Sequence, residues 1–432
     1  MEVRIQPAHV QGLRILLWTV AQLQWESVMR NKLRAAGLLF AAILPFLSCG
    51  ADAQIVYRVI NLGNPNGGTL SQGTSDNQLG SIVGFSTFPN NSMHAELWRN
   101  GVAKDLGTLG GPNSSVAWPN RNSQGMIAGI TDIDELQPLG ETWSCALAVF
   151  LVADNHVCRG FVWRDNKMVA LPTLGGDNGF ATGINDRGQI VGWAEGTLHD
   201  PTCNEFTNTG QVLQFEAVMW SWNGSSYEAH ALPAFPGDVD GVATGINQWG
   251  QVTGISGICD AAVGGGTAEH MVIWNRGHIT RVLPTLGGAY WNTPMDINNL
   301  GDVAGFSDLP GDGPTIKQAN FHAFFWSARP FTCNAKVVRG GSTCDLGALG
   351  TDTLSEALGM NDLGQVVGVS IQSNHAFIWQ QGKMTDLNSM VAPGTTLVLT
   401  DAQEINDLGE ITGIAFDPRM NTSVAFLAVP IR

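Results

Sequence analysis

A sequence element that occurs seven times is the feature that most constrains how this chain folds. Each copy is a turn followed by a short apolar run that ends in glycine, as in GINDRGQIVG (183–192) and GMNDLGQVVG (359–368). The copies end at Gly84, Gly129, Gly192, Gly254, Gly305, Gly368 and Gly413. Self-similarity of this kind indicates a repeat architecture, so it has to be interpreted before any local motif.

Two further elements complete each repeat. An apolar segment that ends in Trp follows each of the first six copies, as in HAFFW (322–326) and HAFIW (375–379). A second apolar segment then ends in an LGG-type turn, as in KDLGTLGG (104–111). We expect the recurrent Trp residues to fill the space between neighbouring repeats: Trp98, Trp163, Trp220, Trp274, Trp326 and Trp379.

These elements predict about four short strands in each repeat. The Asn-Asp-x-Gly turns indicate hairpins, because Asn and Asp tolerate positive φ and Gly adopts it at little cost. The apolar runs are too short for helices and rich in β-branched residues. A four-stranded unit cannot bury its faces alone, so the sequence predicts an all-β fold, a β-propeller of seven blades with four antiparallel strands each.

The register of the blades has two alternatives. If each blade ends with the LG-containing strand, the last blade (405–429) lacks a fourth strand, and the segment 57–62 has no partner at the N-terminus. Pairing the two would close the ring. The other register gives seven self-contained blades without any exchange. We favour closure by the N-terminal strand.

Residues 29–53 are typical of a signal peptide. Arg30, Lys32 and Arg34 precede an apolar run over 35–47, and Ala51-Asp52-Ala53 matches a signal-peptidase site. The 13 residues of the run are too few to cross a bilayer as a helix. Residues 1–28 are either an extended n-region or upstream of the true start at Met29. Residues 54–432 then form a single propeller domain without a transmembrane segment.

The same segment carries a weak lipobox, FLSC, that ends at Cys49. Phe46 is unusual at the first position of that motif, and the Ala-Asp-Ala site competes with it, so we do not expect a lipid anchor. Cleavage after Ala53 removes Cys49 and leaves six cysteines, an even number that favours disulfides in an exported protein. Proximity suggests the pairs Cys145–Cys158, Cys203–Cys259 and Cys333–Cys344, among fifteen possible connectivities.

Charge excludes some classes of partner. Only 14% of residues are charged, with 22 Lys and Arg against 37 Asp and Glu. Cleavage leaves 17 cations against 34 acids, a formal net charge of −17. Such a chain has no basic footprint for nucleic acid. Its sequence also lacks a GxSxG elbow, an HExxH motif and a P-loop.

The repeats resemble the HAF repeats of bacterial extracellular repeat proteins over roughly 57–429. His-Ala-Phe occurs literally at 322–324 and 375–377, and in a degenerate form at 94–96. That family is defined by its repeat and its exported location. The resemblance therefore implies a secreted, periplasmic or surface-exposed bacterial protein, and it transfers no catalytic residue.

Insertions between repeats indicate where a ligand binds. They occur at 131–158, 194–214, 255–268, 307–320 and 328–343, and most would emerge on one face of the ring. We therefore predict a non-enzymatic protein that binds an extracellular glycan or protein through these loops. Four aromatic residues in or near the loops are candidate contacts, although each could belong to the core instead: Trp143, Trp193, Phe206 and Trp291.

The alternative function is a secreted polysaccharide hydrolase or lyase that uses the loop carboxylates Asp132, Glu135, Asp238 and Asp240. Alternating acids, Asp132 with Asp134 and Asp238 with Asp240, are also weak calcium candidates. No acidic cluster has a full twelve-residue calcium loop, so we expect no metal or other cofactor. For the recurrent His94, His322 and His375 we expect a structural bond to a neighbouring turn. The repeated Asn of the turns should satisfy the backbone of its own turn.

Overall fold

Seven blades of four antiparallel strands form a ring in the computed structural model, which describes residues 55–77, 79–118, 122–141, 155–203, 210–259, 267–313 and 318–431. The predicted seven-bladed β-propeller is thereby confirmed. Among the described residues there are thirty strands and a short 3-10 helix, Leu387–Met390. In this part of the chain no helix is long and apolar enough to cross a membrane.

The strands of each blade follow one another in sequence, from the axis of the ring outward. Blade 1 comprises β2 (Ser71–Asp76), β3 (Ser81–Thr87), β4 (Met93–Arg99) and β5 (Val102–Asp105). Blade 2 comprises β6 (Gly110–Ser115), β7 (Ile127–Leu136), β8 (His156–Arg164) and β9 (Lys167–Ala170). Blade 3 comprises β10 (Gly179–Ile184), β11 (Ile190–His199), β12 (Leu213–Trp222) and β13 (Tyr227–Ala231). Blade 4 comprises β14 (Asp240–Ile246), β15 (Gln251–Gly257), β16 (Ala268–Asn275) and β17 (His278–Val282).

Blades 5 and 6 repeat this order, with one insertion. Blade 5 comprises β18 (Thr293–Ile297), β19 (Val303–Asp308), β20 (Phe321–Ser327) and β23 (Ser342–Gly347). A small hairpin of β21 (Phe331–Cys333) and β22 (Lys336–Val338) is inserted before its last strand. Blade 6 comprises β24 (Ser355–Met360), β25 (Val366–Ser370), β26 (His375–Gln380) and β27 (Lys383–Asp386).

Blade 7 joins the two ends of the chain. It comprises β28 (Val398–Ile405), β29 (Ile411–Asp417), β30 (Thr422–Ile431) and, as its outer strand, β1 (Val56–Gly63). β1 pairs with β30 antiparallel, from Val56 opposite Ile431 to Gly63 opposite Ala425. The predicted closure by the N-terminal strand is therefore confirmed. It gives the last blade the fourth strand that its own repeat lacks.

The core of the ring has an axial part and parts between blades. The axial cluster draws residues from all seven blades, so apolar side chains fill much of the centre: examples are Phe85, Ile130, Phe180, Val242, Met295, Leu358 and Ile414. The six repeat Trp residues are buried, as predicted. Two of them also bond to the preceding blade, since the indole Nε1 of Trp220 donates to the carbonyl of Pro172 and that of Trp274 to the carbonyl of Pro233, each at 2.7 Å.

The Asn of each repeat turn does more than the sequence predicts. In blade 3, Oδ1 of Asn185 accepts bonds from the amides of Arg187 and Gln189 at 3.0 and 3.1 Å, which is the expected role within its own turn. Its Nδ2 also donates to the carbonyl of Asn247 in the next blade at 3.2 Å. The same bond continues around the ring from Asn247 to Asn298, Asn361 and Asn406. We call this chain of bonds the Asn belt.

Candidate functional site

The antiparallel blades send their connections to two opposite ends of the ring. Connections between second and third strands leave at one end, which we call the loop face: 137–155, 200–212, 258–267 and 309–320 are the long ones. The insertion at 328–343 differs, because it joins the third and fourth strands of blade 5 and leaves at the opposite end. The strand ends that flank the long connections of blades 2 to 5 thus lie at one face, and those that flank this fifth insertion lie at the other.

Two of the three proposed disulfides are present in the structure. Cys203–Cys259 connects the loop-face connections of blades 3 and 4. Cys333–Cys344 joins the small β21–β22 hairpin to β23 of the same blade. Cys158 is also disulfide-bonded, whereas Cys145, its proposed partner, lies outside the described residues. Disulfides are typical of proteins in an oxidising, extracellular environment.

The predicted aromatic contacts are only partly accessible. Trp193 is 1% exposed and lies in the axial cluster, with its ring 6.4 Å from Phe180 and 5.4 Å from Phe215. Trp193 therefore belongs to the core, the alternative that the sequence left open for this residue. Trp291 is half-buried and packs 5.9 Å from Phe321. Trp143 and Phe206 lie outside the described residues.

The loop carboxylates mainly support the structure. Asp132 is buried and accepts a bond from Nδ2 of Asn113 at 2.8 Å. Asp240 is also buried, and Nε2 of Gln211 donates to both Asp240 and Asp200, at 2.9 and 3.1 Å. Burial, then the hydrogen bond with Asp200, raises the pKa of Asp240 to about 9. Asp134 and Glu135 are exposed. Among the described residues, the four calcium candidates do not come together in one cluster of ligands.

A second buried acid network anchors the loop of blade 2 on blade 3. Oε1 of Glu141 accepts bonds from the amides of Val212 and Leu213, both at 2.7 Å. Asn178 donates to Glu195 at 2.7 Å and to Glu141 at 3.4 Å. Burial, followed by the negative charge of Glu141, raises the pKa of Glu195 to about 8. The protonated form of such a buried group is favoured, which lets two acids share one site.

The recurrent histidines have the structural role that we expected. Nδ1 of His94, His322 and His375 lies 2.8, 2.8 and 2.9 Å from an Asp on the fourth strand of the same blade. These partners are Asp105, Asp345 and Asp386. Each Asp also accepts a backbone amide of the turn that follows, as Asp105 does from Gly107 at 2.7 Å. The His-Ala-Phe and Asp-Leu-Gly elements recur together because they form one contact.

A groove between blades 2 and 3 is a ligand-sized site that the sequence did not reveal. Its volume is about 1080 Å³, and its outer wall exposes apolar Val169 and half of the Trp222 side chain. We call it the blade 2–3 groove; six of its lining residues are Arg159, Arg164, Lys167, Val169, Trp222 and Tyr227. The guanidinium carbon of Arg164 lies 5.9 Å from the ring centroid of Trp222, and the ring of Tyr227 packs edge-on against that of Trp222 with centroids 5.2 Å apart.

The charge of this groove differs from that of the whole chain. It contains three cationic side chains, Arg159, Arg164 and Lys167, against one acid, Asp165, in a chain of net charge −15. Trp222 stands two residues after the repeat Trp220, where other repeats have Arg276 or Gln381. That extra Trp is the signal in the sequence that could have indicated the groove.

A similar but smaller groove lies between blades 3 and 4. Its volume is about 750 Å³, and Arg187, Trp249 and Arg276 line it. Trp249 is 65% exposed and donates through Nε1 to the carbonyl of Asn299 at 2.9 Å. Blades 2 to 4 thus present two consecutive grooves, each with an exposed Trp and Arg residues.

Comparisons with known families and curated proteins identify no relative of this chain, since no family model and no curated protein matches it. Among solved structures it is similar to a puromycin-hydrolysing peptidase of Mycobacterium tuberculosis, with 11% identity and a TM-score of 0.44, over 87% of this chain and 54% of that one. The chain thus spans about half the length of that peptidase.

Two other solved structures have comparable scores. A gluconolactonase of Xanthomonas campestris shares 9% identity over 87% of this chain and 90% of its own, with a TM-score of 0.36. A polysaccharide lyase that acts on ulvan shares 13% identity over 87% and 97%, with a TM-score of 0.39. Scores this low carry no argument about activity. The strand order of its seven blades defines the class of protein as a β-propeller closed by its N-terminal strand.

Proposed function

We propose that this chain is an exported, non-enzymatic binding protein whose ligand is an acidic glycan held in the blade 2–3 groove. The observation that carries the proposal is the half-exposed Trp222 beside Arg164 in a cavity of about 1080 Å³. Small-molecule sites usually measure about 300–1,000 Å³, so this groove has room for a short oligosaccharide.

The chemistry of the groove fits a sugar that carries a carboxylate or sulfate. An aromatic face offers a rigid apolar surface for the C–H face of a sugar ring. Arginine can bind two oxygens of one oxyanion through parallel hydrogen bonds, a geometry that the single ammonium of lysine does not offer. The surrounding protein is acidic, so the local excess of cations in this groove attracts an anionic ligand.

Export is supported by the sequence and by the disulfides of the structure. The signal-type segment over 29–53 and the even number of cysteines after its removal both come from the sequence. The Cys203–Cys259 and Cys333–Cys344 bonds fit an oxidising compartment. Glycans and proteins outside a bacterial cell are the ligands that such a protein would meet.

The alternative enzyme has less support from the geometry. Asp132 and Asp240 are fully buried and bonded to Asn113 and Gln211, so a substrate does not reach them in this conformation. Asp238 is bonded to Ser256 and His270. Glu135 is exposed.

A glycan array probed with the purified chain, its disulfides intact, tests the proposal. We expect retention on uronate-containing or sulfated oligosaccharides, with little on neutral ones, and weaker retention at higher salt. Reducing ends and unsaturated uronates are assayed in the same samples. Release of products that a single carboxylate substitution abolishes would establish the enzyme instead. Retention on neutral glycans alone would contradict the proposal that the Arg and Lys residues of the groove select an acidic ligand.

A further inference from the structure

Blade 4 arranges the repeat histidine differently from blades 1, 5 and 6. In those three blades the partner is an Asp on the fourth strand of the same blade. Blade 4 has Val282 at that position of its fourth strand. Nδ1 of His270 lies instead 2.9 Å from Oδ2 of Asp238, on the connection that arrives from blade 3. The histidine has thus exchanged an intrablade partner for one on an incoming loop.

A β-bulge brings a third side chain to the same place. His270 is paired with Ser256 and Ala268 with Gly257, so Glu269 has no partner in the ladder. The matching ladder of blade 5 runs without a bulge from His322 to Phe321. Bulges turn a side chain away from the normal alternation and are frequent next to active sites. Here one ligand atom each of Asp238, Glu269 and His270 lies within 4.8 Å of the others.

Neighbouring residues hold two of these side chains in place. Oδ2 of Asp238 accepts a bond from Oγ of Ser256 at 2.6 Å. The ring of Phe235 stacks on the imidazole of His270, with centroids 4.0 Å apart. The side chain of His270 is 29% exposed, so the cluster is open to solvent on one side. Fixed ligand orientation with access for an ion is what a metal site needs.

We propose that Asp238, Glu269 and His270 form a binding site for Zn²⁺. Imidazole nitrogen and carboxylate oxygen are both ordinary Zn²⁺ ligands, whereas Ca²⁺ takes oxygen ligands. Three protein ligands leave the fourth tetrahedral position free for water or for an oxyanion of a ligand. Zn²⁺ at Nδ1 takes the place of the hydrogen bond to Asp238, and a proton carried by that nitrogen is released to solvent or moves to Nε2.

Calorimetric titration of the chelator-treated chain with ZnCl₂ tests this site. We expect binding of one ion per chain and a rise of the thermal midpoint with Zn²⁺ concentration. Glu269→Gln and His270→Ala should each weaken Zn²⁺ binding by about 100-fold, as loss of a ligand or of its support does. Co²⁺ should give the visible absorption of a tetrahedral complex in the wild-type chain and not in either variant.

The matched control is His322→Ala, which removes the same kind of His–Asp pair at a place where the described residues form no cluster of three possible metal ligands. It should leave Zn²⁺ affinity unchanged. The thermal midpoint of each variant without metal separates loss of a ligand from loss of the fold. Three results would each overturn the site. The wild-type chain does not bind Zn²⁺, Glu269→Gln binds it as tightly as the wild-type chain does, or His270→Ala and His322→Ala lose the same affinity.

Discussion

Blade 6 and blade 3 show what the repeat fixes and what it leaves free. Blade 6 keeps every element: His375 bonds to Asp386, and only residues 371–374 connect its second and third strands. Blade 3 has Glu216 in place of the histidine and a connection over 200–212. It also carries the exposed Trp222 and borders both grooves. Where the repeat sequence is kept, its residues hold the ring together. The exposed Trp and the two grooves that could bind a ligand occur where the sequence differs from the repeat.

The largest loss of stability should come from substitution of the turn Asn of the Asn belt, which both blades share. Asn361 in blade 6 accepts the amides of Leu363 and Gln365 and donates to the carbonyl of Asn406. Asn361→Ala removes these three bonds, of which the one to Asn406 is buried and the other two are part-buried, and should lower the free energy of unfolding by about 3 kcal/mol. Denaturant titration followed by Trp fluorescence measures it. Asn185→Ala in blade 3 should lower the free energy of unfolding by the same amount. A loss of stability in only one of the two variants would contradict an equal role of the Asn belt in both blades.

Asp200 and Asp240, which share Gln211 as a hydrogen-bond donor at the border of blades 3 and 4, should make the stability of the fold depend on pH. The pKa of Asp240 is raised from 3.8 to about 9, first by burial. The folded chain therefore keeps a proton that the unfolded chain loses above pH 4. Stability from this group is full below that pH and falls, by at most about 1.4 kcal/mol per pH unit, until about pH 9.

Asp240→Asn removes this titration and should flatten the decline. Denaturation midpoints of both proteins at pH 6 and pH 9 measure the difference, and the variant should lose less over this interval. The exposed acid Asp134 offers the control, since Asp134→Asn should leave the pH dependence as it is. An unchanged slope in Asp240→Asn would mean that the pair carries no shared proton.

Trp222 should matter for binding and its counterpart in blade 6 should not. Trp222→Ala removes the exposed ring beside Arg164 and should weaken binding of an acidic oligosaccharide about tenfold, ~1.4 kcal/mol. Gln381 stands at the same repeat position in blade 6, so Gln381→Ala is the control. Calorimetry with the best glycan of the array measures both. Equal affinities in the two variants would place the ligand elsewhere, for example on the loop face.

The sequence predicted those features that repeat or lie close along the chain. Seven blades, the buried Trp residues and the Cys333–Cys344 pair belong here, because a period or a short separation defines them. The blade 2–3 groove was not predictable in this way, since Arg159 and Trp222 meet only when two blades stand side by side. Trp193 was a candidate contact, yet its strand register turns it to the axis, and a one-residue shift decides such a choice.

The zinc cluster escaped prediction for a related reason. The sequence indicated Asp238 as a metal ligand only in a weak calcium pair with Asp240. The fold places it next to His270 instead, and a bulge adds Glu269. A bulge leaves no clear mark in a single sequence. What the sequence did offer was the missing Asp at Val282, which deprives the repeat histidine of its usual partner.

The smallest expected effect on glycan affinity comes from a comparison of two lysines that occupy the same position of the repeat. Lys167 begins β9 and lines the blade 2–3 groove, and Lys383 begins β27 in blade 6. Lys167→Ala should weaken acidic-glycan binding about threefold, since an exposed charge contributes roughly 0.2–1 kcal/mol. Lys383→Ala changes the net charge equally and should have no effect beyond it. Affinities measured at two salt concentrations should converge as salt rises, because screening removes the contribution of Lys167. If both variants lose the same affinity, the net charge of the chain governs binding and the groove does not.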